Sequence, residues 1–166
     1  AGVRVINLSL GGPADPLLSQ LVGYAIKRGI VVVGAVPPSG RIDGFPVGVA
    51  GVIAVTDLEQ AVVGKVLRAP GSEVLTLVPG GHYDFVSGSS LAAAHVSGAA
   101  ALLLQVNPRL DPAAVYDLLS RTSVSVDSSG GAINVCAALA MLRPEGSCVA
   151  QAIAGANPSD GRIPAR

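Results

Sequence analysis

Residues 3–33 constrain the fold most, because they place two apolar runs either side of a helix-spaced segment. Val3-Arg4-Val5-Ile6-Asn7-Leu8 reads as a short buried strand, closed by the turn Gly11-Gly12-Pro13. Over residues 15–28, Leu17, Leu18, Leu21, Val22, Ala25 and Ile26 recur at helical spacing. Asp15 before Pro16 is an N-cap followed by a proline at the first helical position, and Gly29 suits the C-terminal cap. Ile30-Val31-Val32-Val33 is apolar without alternation, the pattern of a strand covered on both faces. Strand, helix and strand in this order cross over right-handedly and build a parallel sheet. The predicted fold class is therefore α/β, with three layers and a mainly parallel sheet carrying helices on both faces.

The rest of the chain extends that plan. Residues 51–55 continue the sheet, and residues 62–67 and 74–78 are predicted as shorter strands around the turn Ala69-Pro70-Gly71. A long apolar helix is predicted over residues 89–106, ending at Asn107-Pro108. A further helix over 112–120 has Asp111 as its cap. Residues 133–135 read as a strand and residues 136–142 as a last helix. Residues 1–149 are expected to form one domain, and residues 150–166, rich in small and polar residues without periodicity, a flexible tail.

Composition narrows the partners. Lys plus Arg and Asp plus Glu number 11 each, and 13% of residues are charged, which argues against a basic nucleic-acid face. The run over residues 91–104 is interrupted by His95, Ser97 and Gly98 and is short for a bilayer crossing, so no membrane span is expected. Cys136 and Cys148 are too few for a disulfide framework; a bridge between them and two thiols stand as alternatives. His82 and His95 lack Cys or His neighbours at ligand spacing, so neither a metal nor another cofactor is expected. Beginning at Ala1 and running directly into a strand, the chain reads as a processed or excised piece.

The chemistry-bearing stretch is Gly88-Ser89-Ser90-Leu91-Ala92-Ala93-Ala94-His95-Val96-Ser97-Gly98. A flexible turn opening into an apolar helix puts Ser90 at a helix N-terminus, where free N–H groups and the helix dipole favour developing negative charge. This stretch resembles the Gly-Thr-Ser-x-Ala-x-Pro-His-Val-x-Gly signature of subtilisin-like serine peptidases. Ser90 falls on the nucleophile, Ser89 replaces the usual Thr, and Ala94 stands where Pro is common. Three further segments match in order: Val5-Ile6-Asn7-Leu8-Ser9-Leu10-Gly11-Gly12, Ala69-Pro70-Gly71 and Gly131-Ala132-Ile133-Asn134-Val135-Cys136.

The resemblance implies a partial subtilisin-like fold and serine endopeptidase chemistry. It places Ser9, Leu10 and Gly11 along one side of the substrate cleft and Gly34, Ala35 and Val36 along the other. The partner implied is a peptide or protein in extended conformation, held by strand addition. It also makes His95 structural, since five positions along a helix carry it away from Ser90, while His82 reads as an exposed loop residue. An exported or periplasmic location follows from the resemblance alone.

The same resemblance defines what is missing. The family's Asp and His come from two motifs preceding this region, and neither an Asp-x-Gly strand end nor a His-Gly-Thr motif occurs here. The upstream part of the same catalytic domain is thus an implied partner. The oxyanion, held in part by the Ser90 backbone N–H, also loses its asparagine donor: Pro38 stands at that place, and no asparagine occurs between Asn7 and Asn107. Losing one such donor costs about 3 to 4 kcal/mol. Ser39 is the nearest substitute in sequence. The isolated chain is expected to be inactive, and a peptide-binding or scaffolding pseudopeptidase is the alternative. A fragment with an open sheet edge is also expected to self-associate.

Overall fold

The computed structural model describes residues 2–127 and 130–143. Strands β1 (Val5–Leu8), β2 (Val31–Ala35), β3 (Ile53–Thr56) and β4 (Leu67–Arg68) lie side by side in parallel. The sheet continues through β8 (Gly130–Ala132), parallel to β4, to β7 (Val124–Asp127), antiparallel to β8, giving the order β1-β2-β3-β4-β8-β7. Between them run α1 (Pro16–Lys27), the hairpin strands β5 (Val74–Val78) and β6 (His82–Val86), α2 (Ser89–Val106) and α3 (Pro112–Arg121); α4 (Val135–Leu142) closes the described chain.

Side-chain alternation on β2 explains the layering. Val31, Val33 and Ala35 point into the main core with Ala92, Val96 and Leu103 of α2, Val115 and Leu119 of α3 and Ala138 of α4. Val32 faces the other way, toward Leu21 and Ala25 of α1. Helices therefore cover both faces of a mostly parallel sheet, as the βαβ reading requires. The core is aliphatic and small: Ala92, Ala93, Ala99 and Ala100 bring the α2 backbone close to the sheet. By length and composition α2, about 27 Å long, could cross a bilayer, yet its alanine, valine and leucine face is spent on β1, β2 and β3.

The helices begin where their caps dictate. Asp15 Oδ1 accepts from the Leu18 N–H at 2.8 Å and Asp111 Oδ1 from the Ala114 N–H at 2.7 Å, each with proline following. Asn134 caps α4 likewise, accepting from the Ala137 N–H at 2.9 Å. After α1 the chain reverses at Gly29, whose φ of 78° suits a residue without Cβ.

Several sequence expectations are corrected. Of residues 62–67 only Leu67 enters a strand, and β4 is two residues long. Residues 74–78 form a strand as expected, paired in a hairpin with β6. His82, expected in a loop, opens β6, because the turn is made by Pro79, Gly80 and Gly81, with φ of 96° and 77° at the two glycines. The strand expected at 133–135 lies at Gly130–Ala132, and Val135 already belongs to α4. The Cys136–Cys148 alternative and the 150–166 tail reach residues outside those described.

Candidate active site

The site is assembled where the carboxyl ends of β1 and β2 meet the start of α2, the end of a parallel sheet where open α/β folds hold ligands. Ser90 is exposed, whereas Ser89 is buried. Gly88 precedes them as the N-cap, with φ 148° and no side chain to cap the helix. The N–H groups of Ser89 and Ser90 have no helical carbonyl four residues back, so they remain free as donors. Gly88 is itself held by donation of its N–H to the Gly71 carbonyl at 2.7 Å.

A hydrogen-bond chain ties this helix start to β1. Ser97 Oγ shares its one proton between the Ala93 carbonyl at 2.8 Å and Asn7 Oδ1 at 3.1 Å, Asn7 Nδ2 donates to Ser9 Oγ at 3.0 Å, and Ser9 Oγ donates to the Ser90 carbonyl at 3.0 Å. Ser9 thus holds the Ser90 backbone rather than simply lining a wall. Leu10, Gly11, Ala35 and Val36 border a cavity of about 540 Å3 together with Ser90. Gly34 sits apart, inside the sheet: a Cβ there would lie 2.9 Å from Pro46 Cγ. Across the cleft a Cβ on Gly11 would come within 3.6 Å of Pro37 Cβ, so the two walls nearly meet there.

Pro38 lines the same cavity and offers no N–H. Ser39 does not line it; it borders an adjoining depression with Arg41 and Asp43, and its Oγ accepts from the Arg41 N–H at 3.5 Å. Arg41 and Asp43 form an exposed ion pair at 2.6 Å, whose hydrogen bond holds the Asp43 carboxyl below and the Arg41 guanidinium above their ordinary ranges. His95 is exposed, with Nδ1 3.0 Å from the Leu91 carbonyl one turn back on its own helix. No group of three or more His, Cys, Asp or Glu poised for a metal occurs among the described residues.

Among the cavity residues that were not legible in the sequence are Asp57 and Gln60, from the loop after β3. Gln60 is a hub: Oε1 accepts from Thr56 Oγ at 2.7 Å and from Ser89 Oγ at 2.8 Å, while Nε2 donates to the Pro37 carbonyl at 2.8 Å. The carbonyl can only accept, which fixes which end of the amide faces it. Asp57 Oδ1 accepts from the N–H groups of Glu59 and Gln60 at 2.9 and 2.7 Å. Buried Arg68 anchors the same loop from behind, donating through Nη1 to the carbonyls of Gln60 and Asp57 at 2.8 and 3.3 Å. Loop residues of this kind carry no periodicity, and only the fold brings them to Ser90.

The site is thus a serine at a helix start over a cleft at the sheet's carboxyl end of an α/β fold, and comparison gives the chain a family. Residues 1–147 match the subtilase family, and the chain belongs to it: its members are serine peptidases of the subtilisin type. It is 38% identical to subtilisin DY of Bacillus licheniformis over 156 residues, covering 82% of this chain and 57% of that protein. To subtilisin BL of Lederbergia lenta it is 37% identical, over 77% of this chain and 52% of the other. Among solved structures, the self-cleaved protease domain of PatA superposes with a TM-score of 0.73 at 29% identity, over 86% of this chain and 63% of that one. A cold-adapted subtilisin-like serine proteinase gives 0.70 at 31% identity, over 81% and 54%. The chain therefore spans between half and two thirds of the length of these relatives.

Proposed function

We propose that this chain supplies the nucleophile and the substrate cleft of a subtilisin-like endopeptidase, with Ser90 attacking the peptide carbonyl. The observation that carries the reading is the exposed Ser90 hydroxyl at an uncapped helix start, facing a cleft between two strand ends. In this reading Ser90 Oγ bonds to the carbonyl carbon and its proton passes to a base. The carbonyl oxygen becomes an oxyanion that accepts from the Ser90 N–H. Collapse expels the amine, which takes the proton from the base, and leaves an acyl ester on Ser90 that water then hydrolyses. Substrate backbone lies in extended form between Leu10-Gly11 and Ala35-Val36.

His95, bound to its own helix, is not that base. The base and its orienting carboxylate come, in this reading, from the part of the catalytic domain that precedes the matched region, which makes that part a partner of this chain. Fluorophosphonate labelling and peptide cleavage test it, using the chain alone and the chain produced with its upstream coding region. Labelling of the longer protein that disappears in Ser90→Ala, and is at least about 1000-fold slower in the chain alone, is the expected result. Equal labelling of Ser90→Ala would overturn it.

One observation favours a second reading, peptide binding without cleavage: Pro37 and Pro38 occupy the turn where an oxyanion donor is needed, and neither has an N–H to give. An extended peptide that binds the longer protein and is returned intact would establish that reading.

A further inference from the structure

The cavity beside Ser90 carries one charged side chain, Asp57, among lining residues that are otherwise aliphatic, glycine, proline or neutral polar. Asp57 is half-buried. A Cβ on Gly71 would lie 2.7 Å from Asp57 Cβ, 3.0 Å from the Gly88 carbonyl oxygen and 3.2 Å from Ala92 Cβ, so Asp57 stands under the first turn of α2, the turn that carries Ser90. One carboxylate oxygen is fixed by two backbone N–H groups. The other has no hydrogen-bond or ion-pair partner among the described residues. The nearest buried cation, Arg68, is committed to the carbonyls of the same loop and does not line the cavity.

We infer that this cavity selects a cationic side chain, Arg or Lys, on the residue whose carbonyl Ser90 faces. The inference rests on the peptide-cleft reading above. The side chain of that residue leaves the backbone one bond from the carbonyl carbon, so it enters whatever opens beside the serine. About 540 Å3 takes a long side chain. Its aliphatic stem lies along Ala35, Val36 and Leu10, and its charged end reaches a half-buried carboxylate whose open oxygen has no other donor. Held by two backbone donors, the carboxylate is preorganised and loses little freedom on binding.

The test separates charge from shape. Paired peptides, identical except for arginine or norleucine before a C-terminal amide, are titrated calorimetrically into the Ser90→Ala protein, where no turnover intervenes. The arginine peptide is expected to bind on the order of 10- to 100-fold tighter, the range of a charge-assisted hydrogen bond. Asp57→Asn keeps the acceptor for the Glu59 and Gln60 N–H groups and removes the charge, so it brings that ratio close to unity while the norleucine peptide binds as before. Asp57→Glu, which retains the charge, keeps the preference for arginine and controls for a loop that simply rearranges. Equal binding of the two peptides, an unchanged ratio in Asp57→Asn, or no binding of either peptide would overturn the inference. Fluorophosphonate labelling of the longer protein, with Ser90 intact, reports on Ser90 independently, so selectivity without labelling there sinks the peptidase reading alone, and labelling without selectivity sinks this inference alone.

Discussion

At the scale of single residues, two glycines that look alike in the sequence do opposite things. Gly71 closes the turn beneath α2, and any Cβ there meets Asp57 Cβ, the Gly88 carbonyl oxygen and Ala92 Cβ at 3.2 Å or less, one a backbone atom and two bonded directly to the main chain, with no flexible end to yield. Gly98 lies exposed inside α2 with nothing within 4 Å of an added Cβ. Gly71→Ala should destabilise by about 1 to 3 kcal/mol through overpacking. Gly98→Ala should stabilise by roughly 0.5 to 1 kcal/mol, since glycine inside a helix costs that much relative to alanine. Urea midpoints of the two variants check both signs, and a Gly71→Ala protein as stable as the parent would mean that the α2 start shifts without cost. Gln60 belongs to the same scale. Gln60→Leu leaves the hydroxyls of buried Thr56 and Ser89 and one bond of the Pro37 carbonyl unmade, at about 1 to 3 kcal/mol, which the same unfolding curves would read. The serine motif was legible because its residues are contiguous; Asp57 and Gln60 were not, because a loop that approaches Ser90 only after the sheet forms leaves no mark on local pattern.

At the scale of elements, the helices were legible for a reason that can be measured. α1 and α3 both open with Asp-Pro, and in both the aspartate accepts from the N–H three residues on, at 2.8 and 2.7 Å. Asp15→Ala and Asp111→Ala should each cost about 1 kcal/mol, and their effects should add, because the two helices lie on opposite faces of the sheet. A thermal-unfolding series of the two single variants and the double variant tests this; strong non-additivity would show that the two ends are coupled. The strands were less legible where they are short or depend on partners. β4 is two residues, and its Arg68 is buried only because loop carbonyls receive the guanidinium. β5 and β6 pair with each other alone, Leu75 opposite Phe85 and Leu77 opposite Tyr83, all four exposed. Alternation therefore gives a strand there without a buried face to announce it.

At the scale of the whole molecule, the balance of surface matters more than any single contact. β1 ends the sheet, so its outer edge keeps unpaired backbone donors and acceptors among the described residues. Beside it runs an apolar groove of about 550 Å3, bounded by Ile6 and Leu8 of β1 and by Leu18, Leu21 and Val22 of α1. Leu17, Leu21 and Tyr24 are more than half exposed, at 66%, 58% and 58%, and no α1 residue is fully buried. Formal net charge is zero at pH 7, so no general repulsion opposes contact between copies. An apolar helix face next to an open parallel edge is a surface that water does not stabilise. The 166-residue chain should therefore associate at micromolar concentration and neutral pH, with a mass by light scattering that rises with concentration. Leu21→Lys places a charge over the groove and should shift the chain toward monomer without lowering its unfolding midpoint, because Leu21 is exposed. The relatives are nearly twice as long as the stretch matched here, so a longer form of this protein that covers the groove should lose the association that the chain alone shows. A chain that stays monomeric at every concentration would overturn this reading of the edge and groove.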